Sequence, residues 1–489
     1  MIITKEMLIG IIMDIFFMVL YVALYVLNAT LSSGQILALA VLSYVFMVLL
    51  LIIINNKTKF NLCVIFIILS FLFYFGQYVE LIITGNIENK ALSIINSFSI
   101  DRVNHTAIIV LFYMHLIHAV MIIFSRNLNY NSPQILKKNI SLQVIKFSSV
   151  FIYIVSYPLA LFYQYTRYNY TKIWGYGNTL YEQFTNQSSL LKLGEFLSGY
   201  VISMFILLLL LYKGKKKIII LMSILPYILL YMLSGSRLQI ALLIIVIVLI
   251  KHSWEKPITL KEWCVGLFLG VIFSYMLAVS SSIRNYMGLY SSPLEAIMYA
   301  MKNTSLFDGV VHLFDEFGCQ IVSITCVFEN CPGRVGFNYG KLFLYGIEII
   351  IPNLFGYKRI FYTDNTDDAF KMYINKGSTG LGSSFISESY YCFGFFGVIC
   401  VMLLGYFISR LSVKIINCSY ESNVLKVFIY YYLTNCIIFT IRGDTFNIAS
   451  SVFQYAILPI ILMYFVQGIV NEKMNIPIWK GGENNETKL

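Results

Sequence analysis

An arginine between two short apolar stretches is the residue best placed to bind a charged group. The run Ser-Gly-Ser-Arg at 234–237 separates the apolar stretches 218–233 and 238–250. Each stretch is shorter than the ~20 apolar residues that cross a bilayer comfortably, so Arg237 is predicted at the membrane edge, where a cation is costly and points to function. Ser236 is a candidate N-cap for the next helix, whose free N–H groups attract phosphate. The pattern indicates a phosphate or diphosphate site, and the alternative is an arginine that extends to the lipid headgroups.

Two further arginines lie at the ends of apolar stretches. Arg284 follows the stretch 262–283, and Arg442 follows the stretch 424–441 and precedes Asp444, a further polar group for a ligand. All three arginines are predicted on the same, non-cytoplasmic side, where the positive-inside rule disfavours cations. Together they can bind a diphosphate through paired hydrogen bonds. The alternatives for each are a headgroup contact or a salt bridge with an acidic neighbour.

Two groups of carboxylates have the chemistry to move a proton. Glu388 is predicted just inside an apolar stretch, where a carboxylate needs a partner or a wet cavity. It is a candidate general base, and a structural ion pair with one of the arginines is the alternative. His312, Asp315 and Glu316 are spaced by three and four residues, so they share a helical face and are candidate acid, base or sugar-binding groups. The alternative for these three is a solvated face of a loop helix.

Tyrosines are concentrated in and beside the predicted outer loops, and Tyr339 lies within the longest of them. Aromatic residues make up 16% of the chain, and belts of aromatic rings at the membrane interfaces explain many of them. Sugar rings also stack on aromatic faces, so the same pattern is compatible with a carbohydrate site in which Tyr339 contacts the ligand.

The composition places the chain in a membrane. Of its 489 residues, 58% are hydrophobic and 12% are charged, and the mean hydropathy is +0.76. A soluble protein of this length could not bury so much apolar surface, so the predicted fold is an all-α polytopic membrane protein. The net charge of +11 comes from basic loops between apolar stretches and not from a basic domain, which argues against nucleic acid as a partner. The sequence has no Walker A motif, which argues against ATP-driven transport.

About twelve membrane spans are predicted from the runs of apolar residues. They are 7–28, 35–54, 62–83, 105–125, 146–166, 195–212, 218–233, 238–250, 262–283, 385–409, 424–441 and 449–468. Lysine and arginine concentrate in five loops that all fall on one side when the N-terminus is cytoplasmic, as the positive-inside rule requires. The first apolar run is too long for a cleavable signal peptide and is predicted to be a signal anchor.

The predicted organisation has four parts. Nine spans form a membrane domain over 1–283, a large and partly helical extracytoplasmic loop covers 284–384, three further spans lie within 385–470, and a cytoplasmic tail covers 471–489. Within the loop, the apolar piece 342–351 is too short to cross a bilayer and is predicted to lie on the membrane or to re-enter it. Cys319, Cys326 and Cys331 also fall in this loop, where a disulfide bond between two of them is one alternative.

A set of short motifs follows a fixed order along the second half of the chain. They are Ser234-Gly235-Ser236-Arg237, Arg284, Asp315-Glu316-Phe317-Gly318, Tyr339-Gly340, Gly380-x-Gly382-Ser383-Ser384 with Glu388, Gly394 and Gly397, and finally Arg442-Gly443. This ordered set resembles the Wzy oligosaccharide repeat-unit polymerases of O-antigen and capsule assembly. The resemblance covers about the last 260 residues, and the first half resembles the family only in hydropathy.

The resemblance implies an integral-membrane glycosyltransferase of the GT-C type, related to O-antigen ligases, inverting, and independent of metal ions and other cofactors. Members of this family transfer a glycan from undecaprenyl diphosphate to the next lipid-linked repeat unit. The reaction takes place on the outer face of the bacterial inner membrane. A chain-length regulator and a flippase are the partner proteins that the resemblance implies.

A mechanism consistent with both the residue chemistry and the resemblance gives roles to individual residues. Arg237, Arg284 and Arg442 would bind the donor diphosphate, and Glu388 or Glu316 would deprotonate the acceptor hydroxyl group. The ligases carry a histidine near the start of the span after their large loop, whereas this chain has Glu388 there, which favours a polymerase over a ligase. The alternatives are a ligase-like glycosyltransferase and a flippase or transporter of lipid-linked oligosaccharides.

Overall fold

The computed structural model describes residues 4–54, 61–87, 94, 98–125, 140–174, 188–234, 238–286, 293–351, 359–361, 382–418 and 423–474. Some side chains within these ranges, among them those of Arg284 and Glu316, lie outside the description. Every regular element in the described ranges is a helix. The α-helices are α1 (Lys5–Val26), α2 (Ser33–Ile54), α3 (Leu62–Thr84), α4 (Ile100–Phe124), α5 (Leu142–Trp174), α6 (Ser189–Leu211), α7 (Lys215–Ser223), α8 (Leu225–Leu233), α9 (Leu238–Leu249), α10 (Leu260–Tyr286), α11 (Pro293–Asn303), α12 (Leu306–Gly318), α13 (Gln320–Asn330), α14 (Lys341–Glu348), α15 (Phe385–Phe393), α16 (Val398–Ile416), α17 (Val424–Phe439), α18 (Asn447–Val452) and α19 (Leu458–Met474).

Within the described ranges, twelve helical segments are long and apolar enough to cross a membrane. This confirms the predicted all-α polytopic fold. Large apolar side chains are exposed along α1, α2 and α10, including Leu8, Phe16, Val45 and Phe268. Such faces are stable where lipid and not water surrounds the helix.

The helices define two ends of the bundle. The basic residues that are predicted to be cytoplasmic flank the end at which α7 and α10 begin. We call the opposite end the outer end. There α1 ends, α4 begins, α5 ends, α6 begins, and the chain passes from α8 to α9.

A buried polar cluster ties the N-terminal helices together. Asp14 of α1 and both His115 and His118 of α4 are fully buried. The two oxygens of the Asp14 carboxyl group lie 2.8 Å from Nδ1 of His115 and 2.9 Å from Nδ1 of His118. The second ring nitrogen of His118 lies 3.1 Å from the carbonyl oxygen of Met47 in α2. Because these groups have no water around them, their mutual hydrogen bonds fix the three helices against one another.

Residues 306–330, which are predicted to belong to the large outer loop, lie inside the helix bundle. The pair α12–α13 is mostly buried and packs against α3, α4, α10 and α15. Its crossing with α3 depends on Gly76 and Gly318, because a Cβ atom on Gly318 would lie 2.3 Å from the backbone nitrogen of Gln77. The sequence does not predict this segment as a membrane span, because its mean hydropathy is the lowest of the twelve apolar segments.

The unit α11–α13 enters the bundle and returns to the same end. α11 folds back along α10, where the Tyr275 hydroxyl donates a hydrogen bond to the carbonyl oxygen of Met301 at 3.1 Å. α13 ends beside the start of α4, where Arg102 and Glu329 form an ion pair at 2.9 Å. Since α10 ends and α4 begins at the outer end, both ends of the unit lie there.

A turn divides the predicted span 385–409. α15 ends at Gly394, whose φ of +58° favours glycine. Gly397 then lies so close to Ser389 that a Cβ atom on Gly397 would be only 2.3 Å from the Ser389 carbonyl oxygen. α16 therefore turns back and does not continue α15. The ring of Phe385, the first residue of α15, packs against the ring of Phe66 of α3, well inside the bundle. α15 is therefore a half-helix that runs from the interior to the outer end.

The apolar piece 342–351 forms α14 and the turn after it. One face of α14 packs on the segment before α18, where Gly346 lies against the carbonyl oxygen of Phe446. The Gln454 side chain donates a hydrogen bond to the carbonyl oxygen of Ile349 at 2.8 Å. The other face leaves apolar side chains exposed.

The cysteines of the second half remain thiols. Cys319, Cys326 and Cys331 are all buried and free, so the disulfide alternative is not realised in this structure. Burial in an apolar core is the usual situation of a free cysteine.

Candidate functional site

A polar cavity of about 370 Å³ lies among the outer ends of α5, α6, α8, α9, α17 and α18. Its polar and charged lining residues include Gln164, Arg167, Glu195, Ser198, Gln239, Asn435, Asp444, Asn447 and Ser451. Its tyrosines include Tyr163, Tyr227, Tyr231, Tyr432 and Tyr455. A cavity of this size suits a small ligand or part of a larger one. The lining combines a guanidinium group, two carboxylates, amides and aromatic rings, which are the groups that bind anions and sugars.

Arg167 brings the positive charge into the polar cavity. It lies on the last two turns of α5, and its guanidinium carbon is 6.0 Å from the centre of the Tyr231 ring. Glu195 on the first turns of α6 lies near Arg167 and is hydrogen-bonded to the Tyr163 hydroxyl. A guanidinium group held between a ring and a carboxylate is oriented in advance for a ligand with two phosphate oxygens.

Buried polar atoms in the cavity wall lack hydrogen bonds of good geometry. They include the Tyr227 hydroxyl and the side-chain oxygen of Gln164. Both lie within the bundle, where an unsatisfied polar group costs about 1–3 kcal/mol. Atoms of this kind are available to a polar ligand that enters the cavity.

The interruption between α8 and α9 borders the polar cavity. Tyr231 before it and Gln239 after it both line the cavity, and the Tyr231 hydroxyl donates a hydrogen bond to the Gln239 side chain. Ser234 is buried, and its carbonyl oxygen accepts a hydrogen bond from Thr171 of α5 at 3.4 Å. Ser236 and Arg237 lie outside the described residues, so their role stays a prediction.

The segment 440–446, between α17 and α18, carries Asp444 into the cavity wall. One Asp444 carboxylate oxygen accepts a hydrogen bond from the side-chain amide of Asn447 at 3.0 Å. The guanidinium carbon of Arg442 lies 6.0 Å from the centre of the Phe317 ring. This segment therefore joins α12 to the polar cavity.

Glu388 holds that segment through a hydrogen bond to its backbone. It is fully buried, and one of its carboxylate oxygens accepts a hydrogen bond from the backbone N–H of Thr445 at 2.9 Å. The other oxygen accepts from the Ser383 hydroxyl at 2.8 Å. One oxygen of Glu388 thus holds the backbone next to Asp444 and the other binds the Ser383 side chain, and Glu388 does not line the cavity.

The chain as a whole matches one protein family. The family model described as O-antigen polysaccharide polymerase Wzy matches residues 10–474. The chain belongs to this family. Wzy polymerases act on lipid-linked oligosaccharides in a membrane and build O-antigen polysaccharide. Among curated proteins and among solved structures, none matches the chain.

The glycine-serine motif at 382–384 has a structural explanation beside the site. Gly382 has a φ of +78°, and a Cβ atom there would lie 3.2 Å from the carbonyl oxygen of Arg442. Ser384 and Ser387 form a capping box at the start of α15. Gln320 donates a hydrogen bond to the Ser383 carbonyl oxygen at 2.9 Å. The glycine-serine motif thus brings α13, α15 and the 440–446 segment together.

The other predicted residues lie elsewhere in the polymerase fold. Asp315 is buried and accepts a hydrogen bond from the Gln77 side chain at 3.2 Å, so it faces α3. His312 lies one turn earlier on the same helix. Tyr339 is 77% exposed and is not part of the cavity lining. Arg284 and Glu316 lie on α10 and α12, and their side chains are outside the described part.

Arg167 and Glu195 line the candidate site but are not identified from the sequence. The fifth span is predicted to end at 166, whereas α5 continues to Trp174 and places Arg167 inside the bundle. One signal is visible in the sequence: an arginine and a glutamate at the facing ends of two consecutive spans. No group of three His, Cys, Asp or Glu residues suited to a metal ion is found in the described ranges.

Proposed function

We propose that the polar cavity is the transfer site of an O-antigen repeat-unit polymerase. In this proposal the cavity holds the diphosphate and the first sugar of an undecaprenyl-diphosphate-linked glycan. The glycan is transferred to a hydroxyl group of the next lipid-linked repeat unit. One observation supports this most strongly: Arg167 and Asp444 lie on different walls of one tyrosine-rich cavity at the outer end of the bundle.

The donor diphosphate is assigned to Arg167. Its guanidinium group can form two parallel hydrogen bonds to phosphate oxygens, and the low dielectric of the cavity wall strengthens these bonds. The tyrosine rings and the amides of Gln239 and Asn435 provide stacking faces and hydrogen bonds for the sugar. Arg237 and Arg284 are proposed as further cations for the same diphosphate, as the sequence pattern predicts.

The transfer step needs a base and a stabilised leaving group. The acceptor oxygen attacks C1 of the donor sugar, the bond from C1 to the diphosphate oxygen breaks, and the diphosphate leaves with the electron pair. Arg167 stabilises the charge that develops on the leaving group. Asp444 takes the proton of the acceptor hydroxyl, because it faces the cavity while Glu388 does not. Attack from the face opposite the diphosphate inverts the anomeric carbon.

Glu388 has a positioning role in this proposal. Its two hydrogen bonds hold the Thr445 backbone and the Ser383 side chain, and Asp444 is the residue next to Thr445. The predicted role of Glu388 as the base is therefore replaced by an indirect one. Glu195 keeps Arg167 oriented when the cavity contains no diphosphate.

The site lies at the outer end, opposite the basic loops, so we place it on the periplasmic face of the inner membrane. Because Arg167 supplies the charge that a metal ion would otherwise supply, the transfer is proposed to be metal-independent. A chain-length regulator and a flippase are proposed as partner proteins, on the basis of the family alone.

The test uses the purified protein in nanodiscs with its undecaprenyl-diphosphate-linked repeat unit and EDTA. A ladder of glycolipids with the spacing of one repeat unit is expected on a gel. Arg167→Ala should lower ladder formation at least about a hundredfold, the loss typical of one transition-state donor. The matched control is Lys192→Ala, which removes an exposed cation from α6 and should leave the ladder unchanged.

Two results would contradict the proposal. An unchanged ladder with Arg167→Ala would move the diphosphate site away from the polar cavity. Movement of the intact lipid-linked unit between leaflets without any ladder would make the protein a flippase.

A further inference from the structure

A second cavity of about 290 Å³ lies on the other side of the bundle, and we call it the apolar cleft. Its lining includes Tyr21, Tyr25, Ile109, Phe112, Phe395 and Val398. Tyr21 is fully buried and forms its floor, whereas Phe395 is 64% exposed at its rim. The apolar cleft therefore opens from the outer half of α1 and α4 towards the surrounding bilayer. A cleft that is lined by apolar side chains and opens to the bilayer is filled by lipid hydrocarbon chains and not by water.

The apolar cleft and the polar cavity are separated by α16. This helix packs on α4, which lines the apolar cleft, and also on α17, which lines the polar cavity. Neighbouring helix axes are about 8–10 Å apart, so the two spaces lie roughly two helix spacings from each other. Both lie in the outer half of the bundle.

Two basic side chains of α4, those of His105 and Arg102, lie one and two turns closer to the outer end than the apolar cleft. The His105 ring meets the ring of Tyr25 edge to face, with centroids 5.6 Å apart. Arg102 lies one turn closer to the outer end, and its side chain is 61% exposed. Its partner Glu329 is also partly exposed, and exposed ion pairs of this kind exchange partners at little cost. A lipid with an anionic head and a long tail matches this arrangement.

We propose that the apolar cleft binds the polyprenyl tail of the acceptor lipid, with the acceptor diphosphate at His105 and Arg102. This inference rests on the proposed function, in which two lipid-linked molecules react. The donor reacts at the sugar carbon attached to its diphosphate, so the donor diphosphate must lie in the transfer site. The acceptor keeps its lipid and reacts through a hydroxyl group on its glycan, so its own diphosphate must lie at a distance from that site. The separation across α16 provides this distance.

The test compares two acceptors in nanodiscs, one with an undecaprenyl tail and one with a tail of two isoprene units. Ile109→Trp and Val398→Trp fill the apolar cleft. Each is expected to raise the KM for the long-tailed acceptor about tenfold or more, and to leave the KM for the short-tailed acceptor unchanged. The matched control is Val45→Trp, a lipid-facing position on α2 that is 51% exposed, and it should change neither value.

A second measurement separates this inference from the proposed function. An undecaprenyl-diphosphate-linked unit with a photoreactive tail should label α1, α4 or α16, also in Arg167→Ala. If Arg167→Ala keeps the ladder, the transfer site is wrong, and the label on these helices still reports the apolar cleft. Equal slowing of both acceptors by Ile109→Trp, or complete loss of the label when bilayer phospholipid is in excess, would overturn the acceptor site.

Discussion

Replacement of Glu388 by glutamine should slow polymerisation and keep the fall in rate at acidic pH that a separate general base produces. The glutamine side chain keeps one oxygen as an acceptor, but its NH₂ group then faces either the Thr445 N–H or the Ser383 hydroxyl. One buried hydrogen bond is lost and one donor is left unsatisfied, which costs about 1–3 kcal/mol. At 1.4 kcal/mol for each factor of ten, the fraction of molecules in which the 440–446 segment holds Asp444 in place, and with it the initial rate, should fall about 5- to 150-fold.

The assay is the initial rate of ladder formation across a range of pH. A positioning residue lowers the rate at every pH, whereas loss of the general base also removes the acidic limb of the profile. Ser383→Ala removes one of the two donors to Glu388, so its effect and that of Glu388→Gln should not add in a double-mutant cycle. Glu295→Gln changes an exposed carboxylate on α11 and serves as the control.

Loss of the acidic limb in Glu388→Gln would refute this reasoning. It would mean that Glu388 leaves its buried hydrogen bonds and accepts the proton itself. Additive effects of Ser383→Ala and Glu388→Gln would also refute it, because two residues that share one hydrogen bond cannot act independently.

Two further predictions concern groups outside the transfer site. Asp14→Ala leaves His115 and His118 buried without their acceptor and should lower the free energy of unfolding by about 3–5 kcal/mol. The measurement is the melting temperature in detergent, with the exposed Asp101→Ala as the control. A melting temperature equal to that of the wild type would contradict this prediction. At Glu348, desolvation alone would raise the pKa, but the N–H groups of Ile360 and Phe361 and the charge of Arg359 outweigh it and lower the pKa. The contacts of the ionised Glu348 should thus persist above the ordinary glutamate pKa and be lost as the pH falls through the lowered pKa. Their loss should appear as faster hydrogen exchange at the amides of Ile360 and Phe361. If these amides exchange equally fast in Glu348→Gln and in the wild type at pH 7, the Glu348 carboxylate does not protect them.

Much of the fold is visible in the sequence because lipid imposes a simple pattern. Long apolar runs mark most of the spans, and the basic loops mark one side. The segment 306–330 is missed because Asp315 and Gln320 interrupt its apolar pattern. Both form hydrogen bonds with distant partners, Asp315 with Gln77 and Gln320 with the Ser383 backbone, and no local pattern reveals such contacts.

The candidate site is only partly visible in the sequence. Glu388 is identified because an acidic residue just inside an apolar stretch is rare, and Asp444 because it follows Arg442 at the end of another stretch. The different roles proposed for them depend on the hydrogen bonds of Glu388 to Ser383 and Thr445, which the sequence does not reveal. Arg167 is missed because polar residues around it resemble a loop. Its place in the cavity follows from the length of α5, which is fixed by packing along α6.

The first turn of α15 and the 440–446 segment complete each other's hydrogen bonds. The N–H of Phe385 donates to the carbonyl oxygen of Thr440 at 2.9 Å, and the N–H of Thr445 donates to Glu388. More than fifty residues separate these partners in the chain. During synthesis, the first turn of α15 gains these bonds only after the 440–446 segment has been made. The proposed transfer site is therefore expected to form only when nearly the whole chain has left the ribosome, and a protein truncated before α17 should show no partial activity.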